Sequence, residues 1–429
     1  MSDLERLVTE IPGPRSRALA ERLRARESRG VTFLSDDFPT FWASAAGATV
    51  TDVDGNRYID LTAAFGVAAT GHANPAVARA IAEQSARLPH GMGDVHPSDV
   101  KAALVERLAA LVPQPGAKVF LCTSGSESVE FALKTALLAT GRPNALAFAG
   151  AYHGLAHGAL EVTGIEKFRA PFRAQLRNAT HFVPFPDRRE QQSLARALGA
   201  VRDALRDDAS LGAVVVEPIQ GRAGVVVPPQ GFLRGLRAAC DAHGALLVVD
   251  EIYTGFGRTG ALFAFEHDGI TPDLLCVGKA LAGGFPLAAT IGTGAAMDAW
   301  QPSAGEALHT STYLGNPMGC AAALANLAEI ERLGIPRRAR VLGERIAARV
   351  PALARRPAVV DVRGRGALWG VACRDGSVAG ASVVAALRRG VIVLQSGIHG
   401  ETLTIAPPIV ISDAQLDRAL DILIASIPA

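Results

Sequence analysis

The chain has 429 residues, 49% of them hydrophobic, and a formal net charge of +2. That length allows two domains or one large α/β domain with satellites. The near-neutral balance leaves no polybasic footprint for nucleic acid or a membrane surface. The opening stretch MSDLERLVTE is charged and has no apolar h-region, and no apolar run reaches the length of a membrane span. Five cysteines, at 122, 240, 276, 320 and 373, are scattered with no CxxC spacing. The expectation is a cytoplasmic protein with reduced thiols and no metal site.

In chain order, residues 1–60 read as a charged helix and then a hairpin around TDVDGNRYIDL, with Asp54-Gly55-Asn56 as the turn signal. From about residue 117 onward, short apolar runs alternate with amphipathic ones. The runs predict strands at 118–123, 145–150, 213–218, 245–250, 273–278 and 288–293. Continuous apolar strands separated by helices predict a mostly parallel sheet covered on both faces. NPMGCAAALANLAEIERLG reads as a small-residue helix ending in glycine and leading toward a second unit. Strand candidates PAVVDVRGRG, ALWGVAC and VIVLQS then mark a smaller α+β unit. The expected division is a segment 1–60 packing with the small domain, a large domain 61–330, and a C-terminal small domain 331–429.

Three motifs suggest chemistry that their surroundings do not support. GFGRTG (255–260) matches a dinucleotide fingerprint, but Asp250 and Glu251 precede it and no clear helix follows. His153 and His157 have i,i+4 spacing, yet glycines interrupt the segment and no third ligand is near in sequence. GRGALWG (364–370) reads as a turn between strands.

A more coherent set lies at the C-terminal ends of the expected parallel strands, where open α/β sheets bind ligands. CTSGSES (122–128) leads from a strand into a helix, so the amides of Gly125 and Ser126 and nearby hydroxyls would form an anion pocket. Simple N-capping by Ser124 or Ser126 would also explain these residues. Asp250 ends an apolar strand and needs a cation, either a protonated ring nitrogen or an arginine. Tyr152, in the glycine-flanked GAYHG, suits stacking on a flat ring. Lys279 is one of only five lysines among 43 basic Lys and Arg residues, and it sits at a sheltered strand end. Guanidinium stays charged, whereas a buried amine can act as nucleophile or base. Phosphate, pyridine nitrogen, ring and aldehyde are the four demands of pyridoxal 5'-phosphate, and these residues meet all four.

The chain resembles the class III (subgroup II) aminotransferases of pyridoxal-phosphate fold type I. The resemblance runs from TDVDGNRYIDL through TGHANPAVARAI, TSGSESVEFALK, GAYHG, VVVEPIQG, VVDEIYTGFGRTG, PDLLCVGKALAGGFPLAA and STYLGNPMGCAAALA to IAPPIVIS. It implies a large domain with a mostly parallel sheet flanked by helices, and a smaller α+β domain built from both chain ends. Lys279 is implied as the Schiff-base lysine and Asp250 as the partner of the pyridinium nitrogen. Tyr152 and Ile252 would flank the ring, Ser124, Gly125 and Ser126 would hold the phosphate, and His153 and Glu217 would complete the cofactor pocket. Tyr253, where many relatives have glutamine, would lie near the ring hydroxyl. Thr312 would reach across from a neighbouring subunit in a homodimer or a dimer of dimers. The implied reaction is ping-pong transfer of an amino group from an amino acid or ω-amino donor to a 2-oxo acid. A racemase or aminomutase on the same fold is the alternative, and a ligand-binding protein using the GFGRTG loop is a rival of another class.

Three departures bear on the substrate. Leu155 stands where many relatives carry arginine, Arg222 follows EPIQG in place of glutamate, and Thr404 precedes APP where relatives have arginine. Arg222 is therefore expected to anchor a substrate carboxylate through its bidentate fork, with Phe65 and Thr404 as further pocket residues. Arg258 is the other arginine that could take that carboxylate.

Overall fold

A computed structural model describes residues 4–428. Its largest sheet has seven strands. From edge to edge they are Lys118–Cys122, Ala288–Gly292, Leu274–Val277, Leu246–Asp250, Leu211–Val216, Asn144–Phe148 and Thr180–Val183. Ala288–Gly292 is antiparallel to both neighbours, and every other adjacent pair is parallel. All six strand runs expected from the sequence are present, with ends shifted by one or two residues. Thr180–Val183 escapes a reading by apolar runs because only its last residue is fully buried at the sheet edge.

The interior strands are mostly apolar because helices cover both faces. All six residues of Leu211–Val216 are buried, as are four of the five in Leu246–Asp250. Phe232, Leu236 and Cys240 lie on one face of the helix Phe232–His243, at the spacing of an amphipathic helix, and pack into the same core. GFGRTG forms turns and precedes only the short 3-10 segment Ala264–Asp268, and Arg258 is 1% exposed. A buried loop without a following helix cannot cradle a pyrophosphate.

Two four-stranded sheets complete the architecture. In one, Trp42–Ala46, Thr49–Asp52 and Arg57–Asp60 are antiparallel, and Val391–Ile392 adds to the last strand in parallel. The expected hairpin turns at Asp54-Gly55-Asn56, with Gly55 at φ +89°. The other sheet runs Val359–Arg365, Leu368–Cys373, Thr402–Ile405 and Leu394–Ser396, all antiparallel. GRGALWG is its first turn, with Gly366 at φ +55°. The run VIVLQS splits between the two sheets, so it ties the chain's beginning to its end. The small-residue helix spans Pro317–Arg332 and stops before Gly334, which is left-handed at φ +59°.

Candidate active site

A cavity of about 750 Å³ opens at the C-terminal edge of the large sheet, within the size range of small-molecule sites. Six segments from distant parts of the sequence converge on it. Thr123 to Ser126 follow Lys118–Cys122, Tyr152 to Leu155 follow Asn144–Phe148, and Glu217 follows Leu211–Val216. Asp250 ends its strand, with Ile252 and Tyr253 just beyond it, and Lys279 comes two residues after Val277. Phe285 to Leu287 enter Ala288–Gly292 from the same edge because that strand runs the other way.

The helix Gly125–Thr140 shows how both readings of SGSES are true at once. Ser124 Oγ accepts from Glu127 N at 3.3 Å, and Glu127 Oε2 accepts from Ser124 N at 3.3 Å and Thr123 N at 2.7 Å. This capping box stabilises the helix start by about 1 kcal/mol. Gly125 and Ser126 line the cavity, and as first-turn residues their amides have no intrahelical acceptor. Ser126 Oγ is a loop tie instead, accepting from Leu155 N at 3.2 Å. A Cβ on Gly125 would come within 2.6 Å of Ile252 Cδ1, so any larger residue there displaces the Ile252 side chain.

Below the cavity, Asp250, His153 and Glu217 form a buried polar cluster. Asp250 Oδ2 lies 2.8 Å from His153 Nδ1, and Oδ1 accepts from Ile252 N at 3.0 Å. Burial works against a charged His153, but the hydrogen bond and charge of Asp250 outweigh it and raise its pKa. Glu217 accepts from the amides of Tyr152 and Gly221, at 2.9 and 3.1 Å. Burial pushes its carboxyl up to about 7.

Lys279 stands apart in conformation and charge. It has φ +39°, in the left-handed region that non-glycine residues rarely adopt and that concentrates at functional sites. Burial pulls its amine down to about 8, despite the favourable charges of Asp250 and Glu217.

These groups fit pyridoxal phosphate by their chemistry. First-turn amides of residues lining the cavity suit a phosphate, an anchored buried carboxylate suits a ring N–H, and an amine near neutrality suits an aldehyde. The comparisons with known proteins agree. The family model for aminotransferase class III matches residues 34–427. The chain is 40% identical to acetylornithine aminotransferase of Methanopyrus kandleri, covering 89% of this chain and 93% of that one. It is 38% identical to 4-aminobutyrate aminotransferase of Mycobacterium leprae, covering 97% and 96%. An amine transaminase from an uncultivated Pseudomonas species, solved in its PLP-bound form, superposes with TM-score 0.87 at 28% identity, covering 94% and 98%. The chain belongs to the class III aminotransferases. This aminotransferase is a pyridoxal-phosphate-dependent transaminase of fold type I, acting on an amine and a keto acid.

Within the aminotransferase, the expected substrate residues fall into place unevenly. Phe65, Leu155, Arg222 and Thr404 all line the cavity. Thr404 is 8% exposed and its Oγ1 is 2.5 Å from Ser396 Oγ. Phe65 is 64% exposed at the rim, in a turn where Ala63, Ala64 and Phe65 all have positive φ. Arg258 does not line the cavity. It is sealed beneath it, donating through Nη1 to Pro407 O at 2.5 Å, so it is no receiver of substrate. Thr312 is exposed and does not line this cavity. His157 turns outward to Gln175, and the described residues hold no metal-binding cluster.

Phe168, Gln395 and Ser396 line the cavity and were not foreseen. They come from a short helix and a sheet edge with no motif of their own. Only the fold brings them to the site. Among the described residues, no helix is long and apolar enough to cross a membrane.

Proposed function

We propose that this transaminase acts on substrates bearing a carboxylate, which Arg222 receives at the mouth of the cavity. The observation that carries this is the state of Arg222. Among the described residues, it and Lys279 are the only lysine or arginine on the cavity wall. Arg222 has no carboxylate partner there. Its one hydrogen bond is a long 3.5 Å contact from Nη1 to Gln395 O, and its guanidinium lies 6.0 Å from the Phe168 ring centroid. A cation held over an aromatic ring with its donors unspent suits a planar anion. The reading is tested by rates with matched amines, such as 4-aminobutyrate and butylamine. A large preference for the carboxylate is expected, and equal kcat/KM for the two would reject it.

The roles of the remaining residues follow from their placement. Pyridoxal phosphate, when bound, supplies an aldehyde that condenses with amines and a ring that takes up electron density. The amides of Gly125 and Ser126, helped by Ser124, would hold its phosphate. Tyr152 and Ile252 would confine the ring, and Asp250 would hold the proton on the ring nitrogen. His153 keeps Asp250 oriented by donating from Nδ1, and Glu217 fixes the loops of Tyr152 and Gly221. Lys279 holds the cofactor covalently. Its Nζ, brought toward neutrality by burial, would carry the proton between the substrate carbon and the cofactor carbon on either side of the shared nitrogen. Phe285, Phe168 and Leu155 give the cavity an apolar stretch of wall.

We further propose a homodimer, in which Thr312 serves the partner's site. Leu88, Met92, Val95, Leu308 and Tyr313 are exposed on two segments that pack together through His90 against Tyr313 and through a Thr310–Asp94 hydrogen bond. A patch of this kind is characteristic of subunit contacts. The hydrogen-bonded pairing of residues 59–60 with 391–392 supports the packing of a segment 1–60 with a small domain 331–429, beside a large domain 61–330. Five free, buried cysteines suit a cytoplasmic setting.

A further inference from the structure

In both half-reactions of a transaminase the proton moves while the lysine amine is free of the cofactor, and the protein must keep that amine within reach of the substrate. Among the described residues, no acceptor atom is hydrogen-bonded to Lys279 Nζ. What lies against it is the face of Tyr253, with Nζ 4.1 Å from the ring centroid. Glycines crowd the two opposite edges of the ring. A Cβ on Gly66 would come within 2.5 Å of Tyr253 Cε2, and a Cβ on Gly221 within 2.3 Å of Cδ1. Two glycines from segments 155 positions apart thus hold the ring in one orientation. Burial raises the pKa of the phenol, so the ring presents a neutral quadrupole to the amine.

We propose that Tyr253 is a positioning residue whose ring face holds the free Lys279 ammonium between its two proton transfers, a contact that a glutamine at this position could not make. The proposal rests on the reading of Lys279 as the cofactor lysine. Five groups set the charge of this amine besides burial. Asp250 and Glu217 favour the ammonium, and Arg258 and Arg222 oppose it. The Tyr253 face acts in the same sense as the two carboxylates, and it is the one lying directly against Nζ. Removing it leaves burial less opposed, so the amine should lose its proton at lower pH.

The test uses the full chain stripped of cofactor and mixed with pyridoxal phosphate across a pH series, with capture followed by absorbance. The cofactor's own titrations cancel when variants are compared with the parent. Tyr253→Phe keeps the face and should keep the parent's midpoint. Tyr253→Leu removes the face and should lower the midpoint by about 0.5 to 1.5 pH units. Gly221→Ala, which drives a methyl group into the ring edge, should move it in the same direction with the tyrosine still present. Circular dichroism establishes that each variant is folded. A parent-like midpoint in both Tyr253→Leu and Gly221→Ala, with capture intact, would overturn the proposal. Equal shifts in the Phe and Leu variants would assign the effect to the hydroxyl and overturn it as well. Capture by Lys279→Ala with the parent's rate and pH dependence would instead overturn the reading of Lys279 on which it rests.

Discussion

Replacing Arg222 with alanine isolates the carboxylate contact from the rest of the machinery. The side chain is exposed, and its ties to the protein are the 3.5 Å contact to Gln395 O and the loose approach to Phe168. Its loss should therefore change folding stability by less than about 0.5 kcal/mol. A hydrogen bond to a charged group contributes about 1.5–3 kcal/mol net. Water reaches the guanidinium, which screens the pair and favours the lower end of that range. About 1.5 kcal/mol corresponds to roughly a tenfold loss in kcat/KM. That loss should appear for 4-aminobutyrate and not for butylamine, measured side by side with one keto acid in excess. The ratio of the two should also shrink as salt is raised, in the parent but not in the variant. Arg222→Lys keeps the charge without the fork and should fall between them. An equal loss for both amines, or none for either, would refute the assignment.

Asp250→Asn keeps the shape while removing the carboxylate charge proposed to hold the ring N–H. It should lower kcat by about a hundredfold or more, while much cofactor affinity survives through the phosphate contacts. An unchanged kcat would reduce Asp250 to a partner of His153. Gly125→Ala places a methyl group on Ile252 Cδ1, at 2.6 Å before relaxation, and should weaken pyridoxal phosphate binding, read by absorbance titration. Lys279→Met bears on stability. A lysine whose pKa is 10.5 unfolded and about 8 folded is penalised as an ammonium below pH 8, and the penalty fades as pH rises toward 10.5. The ionisation penalty should make the cofactor-free variant more stable than the parent by up to about 3 kcal/mol at pH 7, and this pH-dependent part of the difference should vanish near pH 10.5. A difference that does not change with pH would contradict the sign.

Much of this was legible in the chain because the large sheet writes its strands as unbroken apolar runs, and its ligand groups stand at their ends. Asp250, Lys279 and SGSES could be placed by that rule, whereas Glu217 came only with the family resemblance. The strand Thr180–Val183 could not, since an edge strand need not be apolar on both faces. Phe168, Gln395 and Ser396 were equally silent, because residues that line a site from remote segments carry no local pattern. Arg222 was visible only as a departure from the family pattern, whereas its lack of an acid partner required coordinates. The contact of Lys279 with Tyr253 depends on two glycines far apart in sequence, which no spacing rule connects.

The central claim is that Lys279 carries the cofactor. Borohydride reduction of the loaded protein, followed by proteolysis and mass mapping, tests it most directly. The pyridoxyl label is expected on the peptide containing Lys279 and should be absent from Lys279→Ala, which should also lack turnover. Label on Lys101, Lys118, Lys134 or Lys167 in place of Lys279, or near-normal activity in Lys279→Ala, would contradict it.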